Sequence, residues 1–101
     1  KQEIEEIRVE GHTSYGWGSS TDKKEIYLKN MNLSQKRASN VLAYCYDLNS
    51  PIITNNLNWL QYNLRANGMS FSRLLYNRYT QQEDKKRSRR VEFKVLTRDI
   101  K

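Results

Sequence analysis

The stretch Ser34-Gln35-Lys36-Arg37-Ala38-Ser39-Asn40-Val41-Leu42-Ala43-Tyr44-Cys45-Tyr46-Asp47-Leu48 decides how this chain folds. Ala38, Val41, Leu42, Cys45 and Leu48 recur at helical spacing and make one apolar stripe. A helix with a single stripe has to lay it on a second layer. Ser34 is the expected N-cap, and Asn32 with Gln35 offers an alternative capping box one turn earlier. The helix is expected to end near Asp47 to Asn49, because Pro51 cannot continue it.

The second layer is found by working outward. Upstream, Ile7 and Val9 alternate with Arg8 and Glu10, and Gly11 closes the run, so residues 4–11 read as a strand with one buried face. Residues 12–32 show no sustained period and contain Gly16-Trp17-Gly18 and Ser19-Ser20-Thr21-Asp22, which predicts a long loop. Downstream, Ile53, Leu57, Leu60 and Leu64 mark a second amphipathic helix. It starts either at Ser50-Pro51 or at Thr54, and Asn67-Gly68 is its expected left-handed stop. Met69 to Tyr76 are apolar and aromatic and predict a short strand. Residues 77–90 are polar and end in Lys85-Lys86-Arg87-Ser88-Arg89-Arg90. In the last predicted strand Val91, Phe93 and Val95 alternate with Glu92 and Lys94. Strand, helix, helix, strand, strand predicts an α/β (α+β) sandwich, a mixed β-sheet with helices packed on one face. At 101 residues and 37% hydrophobic, the chain supports one domain, 1–101, with a modest core. Its first strand has nothing before it to pair with, which points to a strand and helix upstream of Lys1.

Composition narrows function. Eighteen basic against eleven acidic residues give a net charge of +7, which favours anionic partners. No apolar run approaches the roughly 18 residues that cross a bilayer. A single cysteine excludes an internal disulfide framework and a multi-cysteine zinc site. His12 is the sole histidine, and no nucleophilic set can be built around it. Its expected role is a hydrogen-bonded side chain ordering the turn after the first strand. Cys45 reads as a buried core thiol. No glycine-rich phosphate loop and no carboxylate pair spaced for acid–base work is present. The chain is therefore not expected to be an enzyme, nor to need a metal or cofactor.

Binding is the remaining class. If Ser34 caps the helix, Lys36 and Arg37 fall in its first turn, where exposed backbone N–H groups already favour an anion. Arg37 would then grip a carboxylate or phosphate bidentately; equally, it could be a solvated residue paired with a nearby acid. Trp17, among glycines and near Tyr15, either pins the loop or stacks on a sugar face, and pinning is favoured. The basic run 85–90 lacks the interleaved aromatics of a nucleic-acid stripe, so nucleic acid is an improbable partner.

Three motifs stand in order along most of the chain: Gly11-His12-Thr13 after a strand, Asn30-x-x-Leu33-Ser34-x-x-Arg37-Ala38-x-x-Val41, and Ser88-Arg89-Arg90-Val91-Glu92-Phe93. Together they resemble the OmpA-like C-terminal domain, the peptidoglycan-associating module of OmpA, Pal lipoproteins and the MotB flagellar stator. The resemblance implies a periplasmic domain of a larger, membrane-associated envelope protein that binds the diaminopimelate-containing stem peptide. It also supplies the upstream strand and helix. On it, Arg37 takes the ligand carboxylate, and Ser14, Thr13, Asp22, Asn30 and Arg89 complete the site. Ser14 stands where the family has an aspartate for the ligand's ammonium, and a hydroxyl cannot make that charge-assisted bond. Asp22 or Glu25, in a lengthened loop, are the candidate substitutes. Ser88 replaces the family's asparagine, and a helix over 54–66 lengthens the usual connection. The resemblance thus implies either a divergent wall anchor, such as a MotB-like stator component, or a protein-interaction module, with a homodimer as one form of it, that kept the fold and lost the ligand.

Overall fold

A computed structural model describes residues 1–100. Strand β1 (Gln2–His12) leads through a loop to helix α1 (Lys23–Asp47), the short helices α2 (Pro51–Thr54) and α3 (Leu57–Asn63), strand β2 (Leu64–Gly68), a one-turn helix α4 (Lys85–Ser88) and strand β3 (Arg90–Asp99). The sheet order is β2-β1-β3. β1 and β2 run parallel, which the crossover through α1, α2 and α3 permits, and β1 and β3 run antiparallel with an irregularity between Ile4 and Glu6. The mixed sheet with helices is the α+β sandwich that the alternating segments predict.

The register sorts the two faces. Val9 lies opposite both Ala66 and Phe93, and Gly11 opposite both Gly68 and Val91. This face takes the helix. A Cβ on Gly11 would collide with the Ser34 backbone carbonyl, and one on Gly68 would come within 2.6 Å of the Gln35 nitrogen. The two glycines let α1 settle onto β1 and β2. The other face is polar, with Glu6, Arg8, Glu10 and His12 on β1 beside Arg90, Glu92 and Lys94 on β3. Glu6 bridges Arg8 at 3.2 Å and Arg65 at 2.7 Å there.

Four expectations are corrected. Helix α1 begins twelve residues before Ser34, at Asp22, whose carboxylate accepts from the N–H groups of Lys24 (2.9 Å) and Glu25 (3.2 Å). Ser34 lies inside the helix; its hydroxyl donates to the Met31 carbonyl at 2.9 Å and accepts from the Ser70 N–H at 3.0 Å. The helix to 66 is replaced by α2 and α3 and then β2, with Leu64 and Ala66 at strand spacing. Gly68 serves close approach rather than a left-handed stop. Residues 69–76 form turns, with Ser70 at φ 50, because pairing with β1 ends just past Gly11: Met69 donates to the Gly11 carbonyl and Thr13 to that of Ser70. Phe71 instead packs edge-on against Tyr15 and Tyr27. The basic run forms α4, capped by Asp84, before β3 begins.

The core is small. Val9, Ile26, Ala38 and Leu60 are its buried apolar residues, joined by buried Glu10, His12, Thr13, Asn30, Ser34, Ser70 and Ser88. Cys45 is half-buried rather than in the core, and Leu48 is exposed. Among the described residues no helix is long and apolar enough to cross a membrane.

Candidate ligand-binding site

The Gly11–Val91 pairing brings the start of β3 beside the middle of α1. Between them opens a cleft of about 500 Å³ lined by Arg37, Asn40 and Val41 from α1 and by Arg89, Arg90 and Val91. Arg37 is half-buried and Arg89 exposed. Among the described residues neither makes an ion pair. Arg90 is different, because its three nitrogens are engaged. Nε meets the Glu92 carboxylate, Nη1 the Ser88 carbonyl at 3.0 Å and Nη2 the Arg73 carbonyl at 3.2 Å. The cleft therefore presents two free guanidiniums, each able to hold a carboxylate or phosphate through paired N–H donors.

The helix N-terminus contributes nothing here, which corrects the expected anion site. Arg37 lies about four turns past the Asp22 cap, and the dipole effect fades within the first turn. Attraction for an anion comes from the arginines' own charge.

The other expected site residues lie outside the cleft. Asn30 is buried, and its amide donates to the carbonyls of Gly16 and Ile26, both at 3.0 Å, so it ties the 13–22 loop to α1. Asp22 is occupied as the cap, and Glu25 pairs with Lys29 at 3.8 Å. Thr13 is buried with its hydroxyl unpartnered, and Ser14 is half-buried. Beside Ser14, however, the Tyr15 N–H reaches a Glu83 carboxylate oxygen at 3.4 Å. Nothing in the spacing announces this acid, because 68 residues separate it from Tyr15. Trp17 lines a shallow recess with Lys29, Asn32, Leu33 and Lys36, with the Lys29 ammonium 5.8 Å from its ring centroid.

On the polar face the structure brings together Glu10, His12 and Glu92, a grouping the sequence did not suggest. His12 is 1% exposed, and neither ring nitrogen has a hydrogen-bond partner, contrary to the hydrogen-bonded role expected of it. Burial, and secondarily the Arg90 charge, push its pKa below the ordinary 6.5. The hydrogen bond from Arg90 holds the Glu92 carboxyl below its usual range.

The fold and cleft define a small α+β domain with a cationic cleft. No family model matches the chain, and no solved structure matches it. The chain is similar to the Zorya protein ZorB of Escherichia coli, with 40% identity over 97 residues, 96% of this chain and 40% of that protein. It thus spans about two-fifths of that relative's length.

Proposed function

We propose that the chain is a non-enzymatic anchoring domain of a ZorB-like envelope protein, built as a MotB-like stator component, that binds peptidoglycan in the periplasm. Arg37 and Arg89 hold a stem-peptide carboxylate in the cleft between α1 and β3. The carrying observation is the pair of unpaired guanidiniums in one cleft, placed there by two of the three motifs that resemble OmpA-like domains. Glu83, beside Ser14, is the acid best placed to meet the ligand's ammonium in lieu of the family's aspartate. Similarity to a Zorya protein supports an assembly with protein partners and a membrane-associated parent.

The test is a pull-down with purified sacculi, with a soluble diaminopimelate-containing stem peptide as competitor. Wild type should bind and be displaced by the peptide. Arg37→Ala and Arg89→Ala should each lose most of the binding, and Glu83→Gln should weaken it less. Arginine variants retained as well as wild type would refute the site.

A second reading, a protein-interaction module, draws on β3. This strand forms a sheet edge, and its Phe93 and Val95 are 56% and 55% exposed on the helix-bearing face. Either an upstream strand and helix or a second copy would cover them. A strict monomer by light scattering, together with sacculus binding, would count against the dimeric form.

A further inference from the structure

We propose that Glu10, His12 and Glu92 form a site for one borderline divalent metal ion of the zinc type on the polar face of the sheet. The His12 Nε2 lies 3.6 Å from a Glu10 carboxylate oxygen and 3.9 Å from a Glu92 carboxylate oxygen. All three ligand atoms fall within 4.8 Å of one another. Donors around a tetrahedral zinc at about 2.0–2.1 Å stand roughly 3.3 Å apart, so side-chain adjustments of less than about an ångström close the set.

The strongest sign of a ligand is His12 itself. A fully buried imidazole with both nitrogens unpartnered lacks the bonds that buried polar groups ordinarily make. The contacts to Glu10 and Glu92 are too long to be hydrogen bonds. A metal on Nε2 would satisfy that nitrogen.

Glu92 is held in place for the task. Arg90 bonds one of its carboxylate oxygens and leaves the other toward His12, while the Ser88 and Arg73 carbonyls anchor the guanidinium in turn. Such outer partners orient ligating carboxylates. Register supplies the rest, because Glu10 lies directly opposite Glu92 and His12 opposite Arg90. The site opens into a recess of about 280 Å³ that Arg73, Leu74, Leu75 and Lys94 also line, so water or an anion can complete the coordination. A nitrogen donor and only two carboxylates among nearby cations suit zinc better than calcium or magnesium, which favour all-oxygen shells.

The experiment is titration of the 101-residue chain with zinc chloride, followed by calorimetry and thermal melting, with cobalt(II) as a spectroscopic probe. One equivalent should bind, raise the melting temperature and be reversed by EDTA. Cobalt should give a visible d–d band and a shifted imidazole proton resonance, which can only be His12, the sole histidine. Glu92→Gln should weaken zinc by more than about tenfold, the lower end of what losing even an outer-shell partner costs. Lys94→Ala should bind zinc at least as tightly as wild type. If His12→Gln fails to fold, the half-exposed Glu92 variant and the cobalt resonance still decide. A wild-type melt unmoved by zinc, or Glu92→Gln binding as tightly as wild type, would overturn the proposal.

Discussion

Gly11 and Gly68 show how much one missing Cβ can matter. Both lie where α1 touches the sheet, and the atoms a methyl would meet are mainly helix backbone, which cannot swing aside. Gly11→Ala should lower stability by at least about 1–3 kcal/mol, the usual cost of overpacking, read as a lower urea midpoint at unchanged slope. His12 acts at the same scale through pH. Its folded pKa is depressed below 6.5, so the unfolded chain binds the extra proton first. The stability it contributes is complete above about pH 6.5 and is lost as pH falls through that value toward the folded pKa. Glu92, also depressed, adds a second loss as pH falls below 4.5. Melting temperatures from pH 8 to about pH 2 should therefore fall in two stages, and His12→Asn should remove the first.

At the scale of elements, α1 is where sequence pattern and structure part. Its buried face over the sheet is Ile26, Asn30, Ser34 and Ala38, a four-residue spacing in which two members are polar. Hydrophobic periodicity cannot register a face built from a serine that packs on glycine and an asparagine that ties a loop. The visible apolar stripe from Val41 onward lies where the helix is only half-buried or exposed. Two substitutions test this account. Asp22→Ala removes the cap and should cost about 0.5–2 kcal/mol. Ser34→Ala leaves the Ser70 N–H without its partner and should cost about 1–3 kcal/mol, although a serine-to-alanine change would ordinarily favour a helix interior. β2 was hidden for a related reason. Leu64 and Ala66 fit either a helix or a strand, and only pairing with Ile7 and Val9 selects the strand.

For the whole molecule, shape and charge govern. The radius of gyration is 16.4 Å, against about 13 Å for a compact chain of this size, and the molecule is elongated, with extents of 47 × 30 × 22 Å. Phe93 and Val95 beside an unpaired edge make the isolated chain prone to associate. Light scattering should show concentration-dependent growth that Val95→Lys reduces. The +7 charge will also draw the chain to any anionic polymer. Sacculus binding must therefore be compared between Arg37→Ala/Arg89→Ala and Lys85→Ala/Lys86→Ala, which remove the same charge. The arginine pair should lose specific binding that survives raised salt, whereas the lysine pair should lose only the salt-sensitive part.

The sequence by itself determined the layers, the first and last strands and two arginines of the cleft. Alternation and helical spacing are local properties, and Arg37 and Arg89 stand in motifs whose order survives along the chain. Only the tertiary structure decided where α1 begins, that residues 64–68 are a strand, that Asp22 is a cap and that Glu10, His12 and Glu92 converge. Apart from the Asp22 cap, whose partners are the neighbouring Lys24 and Glu25, these depend on groups distant in sequence: Ser70 for Ser34, β1 for β2, β3 for Glu10 and His12. The physical reason is shared. A polar side chain takes its role from the group that satisfies it, and that group is named only when the chain has folded.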